Sequence, residues 1–335
     1  MEAHLDSDYG KMGIGVVRYL KNPIIGVVDS THAGKSMKEL LEIPRDIPVL
    51  ENLQEAVSRG AEVMVLGIAP SGGRIPENWT PVIKEALKAG LSIINGLHDL
   101  LSPIWSNSIQ NPKNQWIWDV RVPQFIPEIA TAKAAALPNK RVLFVGTDMA
   151  VGKMTSGLEL YQELLNQNQK VGFVATGQIG ITIMGSGIPL DAFKLDHACG
   201  AVEQAVLEQA DNDIVLIEGQ GSLLHPGSSA TLPLMRGSCP THLVLCIRAG
   251  KNTLRSPEHI VVPDLNEFIA LNESLATVLG TYPQAKVIGI CANTSRLTKS
   301  EAKQFLTDLE QQTGIHTTDP VRFGVRSIST QLLKS

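Results

Sequence analysis

With 335 residues, 43% of them hydrophobic and 19% charged, the chain is long enough for about two domains with sizeable cores. A net charge of −4 gives no sign of the basic surface of a nucleic-acid or polyanion binder. No apolar run is long enough to span a bilayer, and the charged N-terminus lacks an apolar signal core. The four cysteines, Cys199, Cys239, Cys246 and Cys291, show no CxxC spacing. They point to free thiols of a reducing compartment rather than to a disulfide or zinc framework. The expectation is a cytoplasmic protein with a small-molecule ligand, no nucleic-acid or membrane partner and no dedicated metal site. A homo-oligomer is the default for a protein of this kind.

In chain order, residues 23–29 read as a short buried strand, and a turn over 30–34 leads into a helix over 35–41. Val49 belongs to a second strand. A helix over 53–59 ends at the C-capping Gly60. The strand 62–68 runs into Ala69-Pro70-Ser71-Gly72-Gly73, a turn suited to ligand approach. A helix over 81–89 has proline near its start and Gly90 at its end, and a strand follows over 91–95. Residues 101–116 look irregular, and 116–121 form a last strand. Runs of Val and Ile without polar alternation predict parallel strands buried on both faces, which makes this a Rossmann-like half. Residues 123–138 form a linker with a helix near 126–136. Later strands are expected at 141–145, 170–175, 213–217, 242–247 and 286–291, and helices at 198–209, 264–276 and 299–312. The fold class is therefore α/β. A Rossmann-like parallel-sheet domain (1–130) is followed by a P-loop NTPase-like α/β domain (131–335).

The most informative stretch is Gly146-Thr147-Asp148-Met149-Ala150-Val151-Gly152-Lys153-Met154-Thr155. It sits between the strand Arg141-Val142-Leu143-Phe144-Val145 and a helical pattern through Leu158, Leu160 and Leu164. Strand, glycine-rich loop, GK and helix make a P-loop, in which backbone N–H groups and Lys153 cradle phosphates. The usual pattern places Ser or Thr directly after the lysine, where its hydroxyl holds Mg²⁺. Here that position is Met154, and Thr155 comes one residue late.

Other residues carry candidate chemistry, each with a plainer alternative. Glu218 ends the strand 213–217 and opens Gly219-Gln220-Gly221-Ser222. An acid at a buried strand end beside a P-loop is a Mg²⁺-site carboxylate, a general base raised by burial, or merely an acidic cap. Asn293, after the late strand, reads adenine through its amide or is an ordinary turn residue. His225, in the loop leaving Glu218, can transfer a proton. Arg236 and Arg248 can clamp carboxylates, and all three can equally be solvated loop residues. Asp196 is read as a helix cap. Asp29-Ser30-Thr31-His32-Ala33-Gly34-Lys35-Ser36 mimics a P-loop but has Asp29 where the first glycine belongs. It is an anion site at a helix N-terminus, or a helix capped by Ser30 or Thr31.

On these residues the chain resembles the DUF1611 family, long catalogued as a domain of unknown function, in which a Rossmann-like domain precedes a P-loop domain. The matching stretches are Val27-Val28-Asp29-Ser30-Thr31 with Gly34-Lys35, Gly67-Ile68-Ala69-Pro70, Asp119-Val120-Arg121, the P-loop itself, Gly200-Ala201-Val202-Glu203, and Glu218-Gly219-Gln220-Gly221-Ser222 with His225-Pro226. One branch of that family is described as D-glutamate N-acetyltransferases that use acetyl-CoA. The resemblance implies an acyl-CoA-dependent N-acyltransferase of a small acidic amine, with Lys153 and its loop on the CoA phosphates. Glu218 or His225 would take the proton, and Arg236 or Arg248 would bind the substrate carboxylate. The P-loop domain also resembles dethiobiotin synthetase, which implies ATP with Mg²⁺ and carboxylate activation. A nucleotide-binding regulator without chemistry is a third reading. ATP splitting needs Mg²⁺ to bridge phosphates as charge develops, whereas a CoA site only has to hold the phosphates of a 3′-phospho-ADP moiety. Met154 therefore favours the acyltransferase, and Thr155 is the residue that can rotate in for the missing hydroxyl.

Overall fold

The computed structural model describes residues 1–41 and 43–335. The chain divides into two units, Met1–Val122 with Gln178–Pro189, and Pro123–Gly177 with Leu190–Ser335. Among the described residues all strand ladders are parallel, in keeping with the unbroken Val/Ile runs.

In the first unit Val27–Val28 (β1) pairs with Val49–Leu50 (β2). A separate sheet runs Val63–Val65 (β3), Ser92–Asn95 (β4), Ile117–Asp119 (β5). These strands are shorter than their hydrophobic runs. The helix Thr80–Lys88 packs Ile83, Ala86 and Leu87 on Leu66, Ile68 and Ile93. Polar side chains finish the strand ends. The buried Asp119 carboxylate accepts from Asn95 Nδ2 (2.8 Å), Leu101 N (2.9 Å) and Ser102 N (2.8 Å). It thereby starts the helix Ser102–Trp105 inside the stretch that reads as irregular. Asp29 is fully buried. Its carboxylate accepts from Thr31 N (3.1 Å) and Leu5 N (3.2 Å), so the P-loop mimic is a 3₁₀ turn capped by Asp29 itself, not by Ser30 or Thr31. Two helices with no counterpart in the sequence reading, Lys11–Tyr19 and Gln178–Met184, pack together here.

The second unit is one six-stranded sheet. Its strands are Lys140–Gly146 (β6), Val171–Val174 (β7), Ile214–Ile217 (β8), His242–Arg248 (β9), Lys286–Asn293 (β10) and Thr317–Thr318 (β11). The spatial order is β11-β10-β9-β6-β8-β7. The chain leaves β6 for the edge strand β7, returns to β8, and later lays β9 on the opposite side of β6. That reversal opens a crevice at the carboxyl ends of β6, β8 and β9, where such sheets bind ligands. The helix expected near 126–136 is absent apart from a 3₁₀ turn at Lys133–Ala136. Pro127 removes a donor, and Ala132 is left-handed at φ 60°, which a continuous helix does not tolerate. No helix among the described residues is long and apolar enough to cross a membrane.

β6 is buried from Arg141 to Gly146. Arg141, 1% exposed, survives there because its guanidinium donates to Ser238 O (3.1 Å), Cys239 O (3.0 Å), Leu137 O (3.0 Å) and Asn139 O (2.8 Å). Burial still pulls its pKa down. Arg141→Met strands these carbonyls, and a loss of about 3 kcal/mol is expected from buried acceptors left unpaired. Urea unfolding measures it, and an unchanged midpoint would rule out this role for Arg141.

Candidate functional site

The P-loop leaves the central strand and is held to its neighbour for one more residue, because Thr147 N donates to Cys246 O (3.1 Å). Ala150 (φ 54°) and Gly152 (φ 106°) then turn the backbone left-handed before the helix Lys153–Asn166 begins. A non-glycine residue at Ala150 stores about 1 kcal/mol of strain, a cost characteristic of ligand loops. The loop closes tightly over Gly146. A Cβ there would meet Val151 Cγ2 at 2.8 Å and Lys153 Nζ at 3.2 Å. The first N–H groups of the following helix have no intrahelical acceptor and form the cradle for an anion.

Lys153 is 6% exposed, and its Nζ donates to Asp148 O (2.8 Å). Burial drops its pKa to about 8, although Cys246, Asp148 and Glu218 pull the other way. Glu218, at the end of β8, is 2% exposed. Its Oε2 accepts from Thr176 N (2.8 Å) and Gly177 N (3.1 Å). Burial pushes this carboxyl up to about 7, against those two amides and Lys153. The next residue has to be glycine. A Cβ on Gly219 would stand 1.6 Å from Phe144 O and 2.9 Å from Lys153 Cδ. The Glu218-Gly219 corner is therefore pressed against β6 and the lysine stem, which brings acid and base together out of bulk solvent.

The other sequence candidates divide by location. Met154 and Thr155 both lie half-buried in the first turn after Lys153, and Met154 offers no oxygen to a metal. Arg248 ends β9 and reaches the P-loop, its Nη2 donating to Ala150 O (2.7 Å). Asn293 is its register partner on β10. The Asn293 Oδ1 accepts from Ser295 N (3.1 Å), the local turn its residue type favours. His225 bridges two loops. Its Nδ1 accepts from Gly227 N (3.1 Å), so Nε2 carries the hydrogen and donates to Ser256 O (2.6 Å). In this arrangement the imidazole is a clasp. Arg236 is not brought to the crevice. The helix Thr231–Ser238 runs back from the strand ends, about 12 Å over eight residues. In its last turn the guanidinium donates to Leu275 O (2.9 Å) and lies over Tyr282.

Sequence reasoning missed Lys251 and Arg255. With Arg248 they line a pocket shared with Thr147, Asp148 and Val151. The signal was present as three cations within the eight residues 248–255 of an acidic chain. The amides of Thr176 and Gly177 were also missed, and no side-chain pattern marks them.

Fold and crevice define an α/β protein with a phosphate-binding loop on the central strand of a parallel sheet. Comparisons place it further. The DUF1611 P-loop domain, described as a domain of unknown function, matches residues 128–329, and the DUF1611 Rossmann-like domain matches residues 30–123. The chain belongs to the DUF1611 family. It is similar to the protein named D-glutamate N-acetyltransferase from Pseudoalteromonas sp, 38% identical over 83% of each chain. A protein of the same name from Tritonibacter scottomollicae is 36% identical over 81% of each. A crystal structure of a DUF1611 family protein from Anabaena variabilis superposes with a TM-score of 0.94. It is 42% identical, covering 98% of this chain and 96% of that one.

Gly219→Ala is expected to force the corner away from Phe144, cost about 1–3 kcal/mol by overpacking, and abolish ligand binding at the crevice. Thermal melts with and without ligand test this. Wild-type binding in a folded variant would show that the close approach is dispensable.

Proposed function

We propose that this chain is an N-acetyltransferase that carries the acetyl group of acetyl-CoA to the amine of a small acidic acceptor, with D-glutamate the first candidate. The observation that carries the reading is Glu218, a buried carboxyl with a pKa of about 7 beside the P-loop. That value suits a general base at neutral pH. The names of the two curated relatives support the same chemistry.

The residues present fit a CoA-type ligand. The loop closed over Gly146 and the first-turn amides are an anion cradle, and Met154 stands where a Mg²⁺-nucleotide site carries a hydroxyl. Acetyl-CoA supplies the activated acyl carbon and the thiolate leaving group. The chain supplies the rest. Lys153 and the helix amides hold phosphate. Thr176 N and Gly177 N fix Glu218 through Oε2; Oε1, which takes only a long contact from Gln220 Nε2 (3.4 Å), accepts the proton from the acceptor ammonium and frees its lone pair for attack. As the C–N bond forms and the C–S bond breaks, the nitrogen gives up a second proton; one of the two protons leaves on the departing sulfur as thiol and the other passes to solvent. The carboxylate of Glu218 is thereby regenerated.

Glu218→Gln should lower kcat by about 10²–10⁴-fold with the affinity for CoA little changed. For the wild type, activity should rise with pH through about 7, because only the carboxylate accepts the proton, and this limb should vanish in the variant. Stability moves the opposite way. A carboxyl raised above its ordinary value stabilises the fold fully below about 4.5, and that contribution is lost as pH rises through about 7. Glu218→Gln should therefore gain stability relative to wild type at pH 8 and lose the advantage near pH 4, as followed by urea titrations. A pH-independent wild-type rate would sink the general-base role.

Mg²⁺·ATP-dependent carboxylate activation is the second reading, favoured by Thr155 in the same helical turn and by an acid at the end of β8. Thermal shift separates the two. Acetyl-CoA at 100 times its Kd should add about 2.7 kcal/mol of stability, and Lys153→Ala should remove the gain. A shift with Mg²⁺·ATP and none with acetyl-CoA would reverse the order.

A further inference from the structure

The end of β9 and the segment after it carry Arg248, Lys251 and Arg255 within eight residues of a chain whose net charge is −4. All three line one pocket with the P-loop residues Thr147, Asp148 and Val151. Two bonds tie the segment to the loop. Arg248 Nη2 donates to Ala150 O (2.7 Å), and the backbone N–H of Arg255 donates to Asp148 Oδ2 (2.7 Å). Asp148 is the acid in this lining, yet its oxygens serve backbone amides, Oδ1 taking Met149 N (2.6 Å) and Oδ2 taking Arg255 N. With three cations against one acid the lining is net positive, and it is anchored to the phosphate loop. It shares Thr147, Asp148 and Val151 with that loop, so a group bound in it lies directly beside an anion in the loop.

We propose that Arg248, Lys251 and Arg255 form a second phosphate subsite that grips a phosphomonoester on the ribose of the cosubstrate, so that the protein selects CoA over dephospho-CoA and plain nucleotides. The inference rests on the acetyl-CoA reading. A phosphomonoester carries close to two charges and three acceptor oxygens at neutral pH, which several converging cations satisfy. A single carboxylate is satisfied by one arginine fork. The adjacent anion held by Lys153 adds a reason for a separate cationic wall, since two phosphates on one ligand repel unless each is neutralised.

Isothermal titration of the full-length protein with CoA and with dephospho-CoA tests the subsite, alongside a Lys251→Ala/Arg255→Ala variant. Both side chains are exposed, and the Arg255 contact to Asp148 runs through its backbone, so the variant keeps the loop tether. The wild type should bind CoA at least about tenfold tighter than dephospho-CoA, a difference of about 1.4 kcal/mol. In the variant the ratio should fall to near one while the Kd for dephospho-CoA holds. Equal wild-type affinities, or a ratio unchanged in the variant, overturn the subsite and leave acetyl transfer standing. A variant that raises the KM of the acceptor while keeping the CoA preference assigns the cations to the acceptor carboxylates and also overturns it. If neither ligand binds the wild type, the acetyl-CoA reading falls and the subsite with it.

Discussion

Lys153 and Glu218 share one desolvated crevice, and the second unit is arranged around the cost of that placement. Burial drives each toward its neutral form, the amine down to about 8 and the carboxyl up to about 7. Each charge relieves the other in part. The remainder falls to fixed dipoles, the Asp148 carbonyl for the ammonium and two backbone amides for the carboxylate. Those dipoles are in place only because β8 ends level with β7 and because Gly219 lets the corner touch Phe144. A site built this way is held short of full charge satisfaction, which is the condition under which buried groups bind anions and move protons.

The same logic separates the anchored from the adaptable parts. β6, β8 and β9 are buried along their lengths, and their register fixes where the crevice residues emerge. The segments 219–230 and 249–264 instead depend on a few side chains. His225 ties one to the other through Ser256 O, and Arg255, with Arg248 just before the segment, ties the second to the P-loop. Substrate discrimination is expected to reside in such loops on a common scaffold.

What the sequence disclosed follows from how local each signal is. The P-loop is legible because strand, loop, lysine and helix are contiguous, and the buried strand-end position of Glu218 because the acid directly follows four aliphatics. Arg236 was misplaced because its position depends on a helix, Thr231–Ser238, that contains Pro233 and Gly237 and so carries a weak helical signature. Its guanidinium is spent on Leu275 O and the Tyr282 ring rather than on the P-loop. The helix Gln178–Met184 is hidden by β-favouring Ile and Thr. His225 has the residue type of a proton carrier, but only its two hydrogen-bonded nitrogens reveal a bridging part. The cations 248–255 form a local cluster in the sequence, but what it faces is set by the tether of Arg255 N to Asp148, which spans more than a hundred residues.

The depressed basicity of Lys153 has a thermodynamic counterpart. An amine near pH 8 is partly unprotonated in mildly alkaline solution, and an anion settling beside it favours the ammonium. Ligand association is thus linked to proton uptake. The observed heat then varies with the ionisation enthalpy of the buffer, and affinity declines as solution alkalinity rises. A loop that reads as a rigid phosphate cradle is in this sense also a proton acceptor, charged fully only by what it binds.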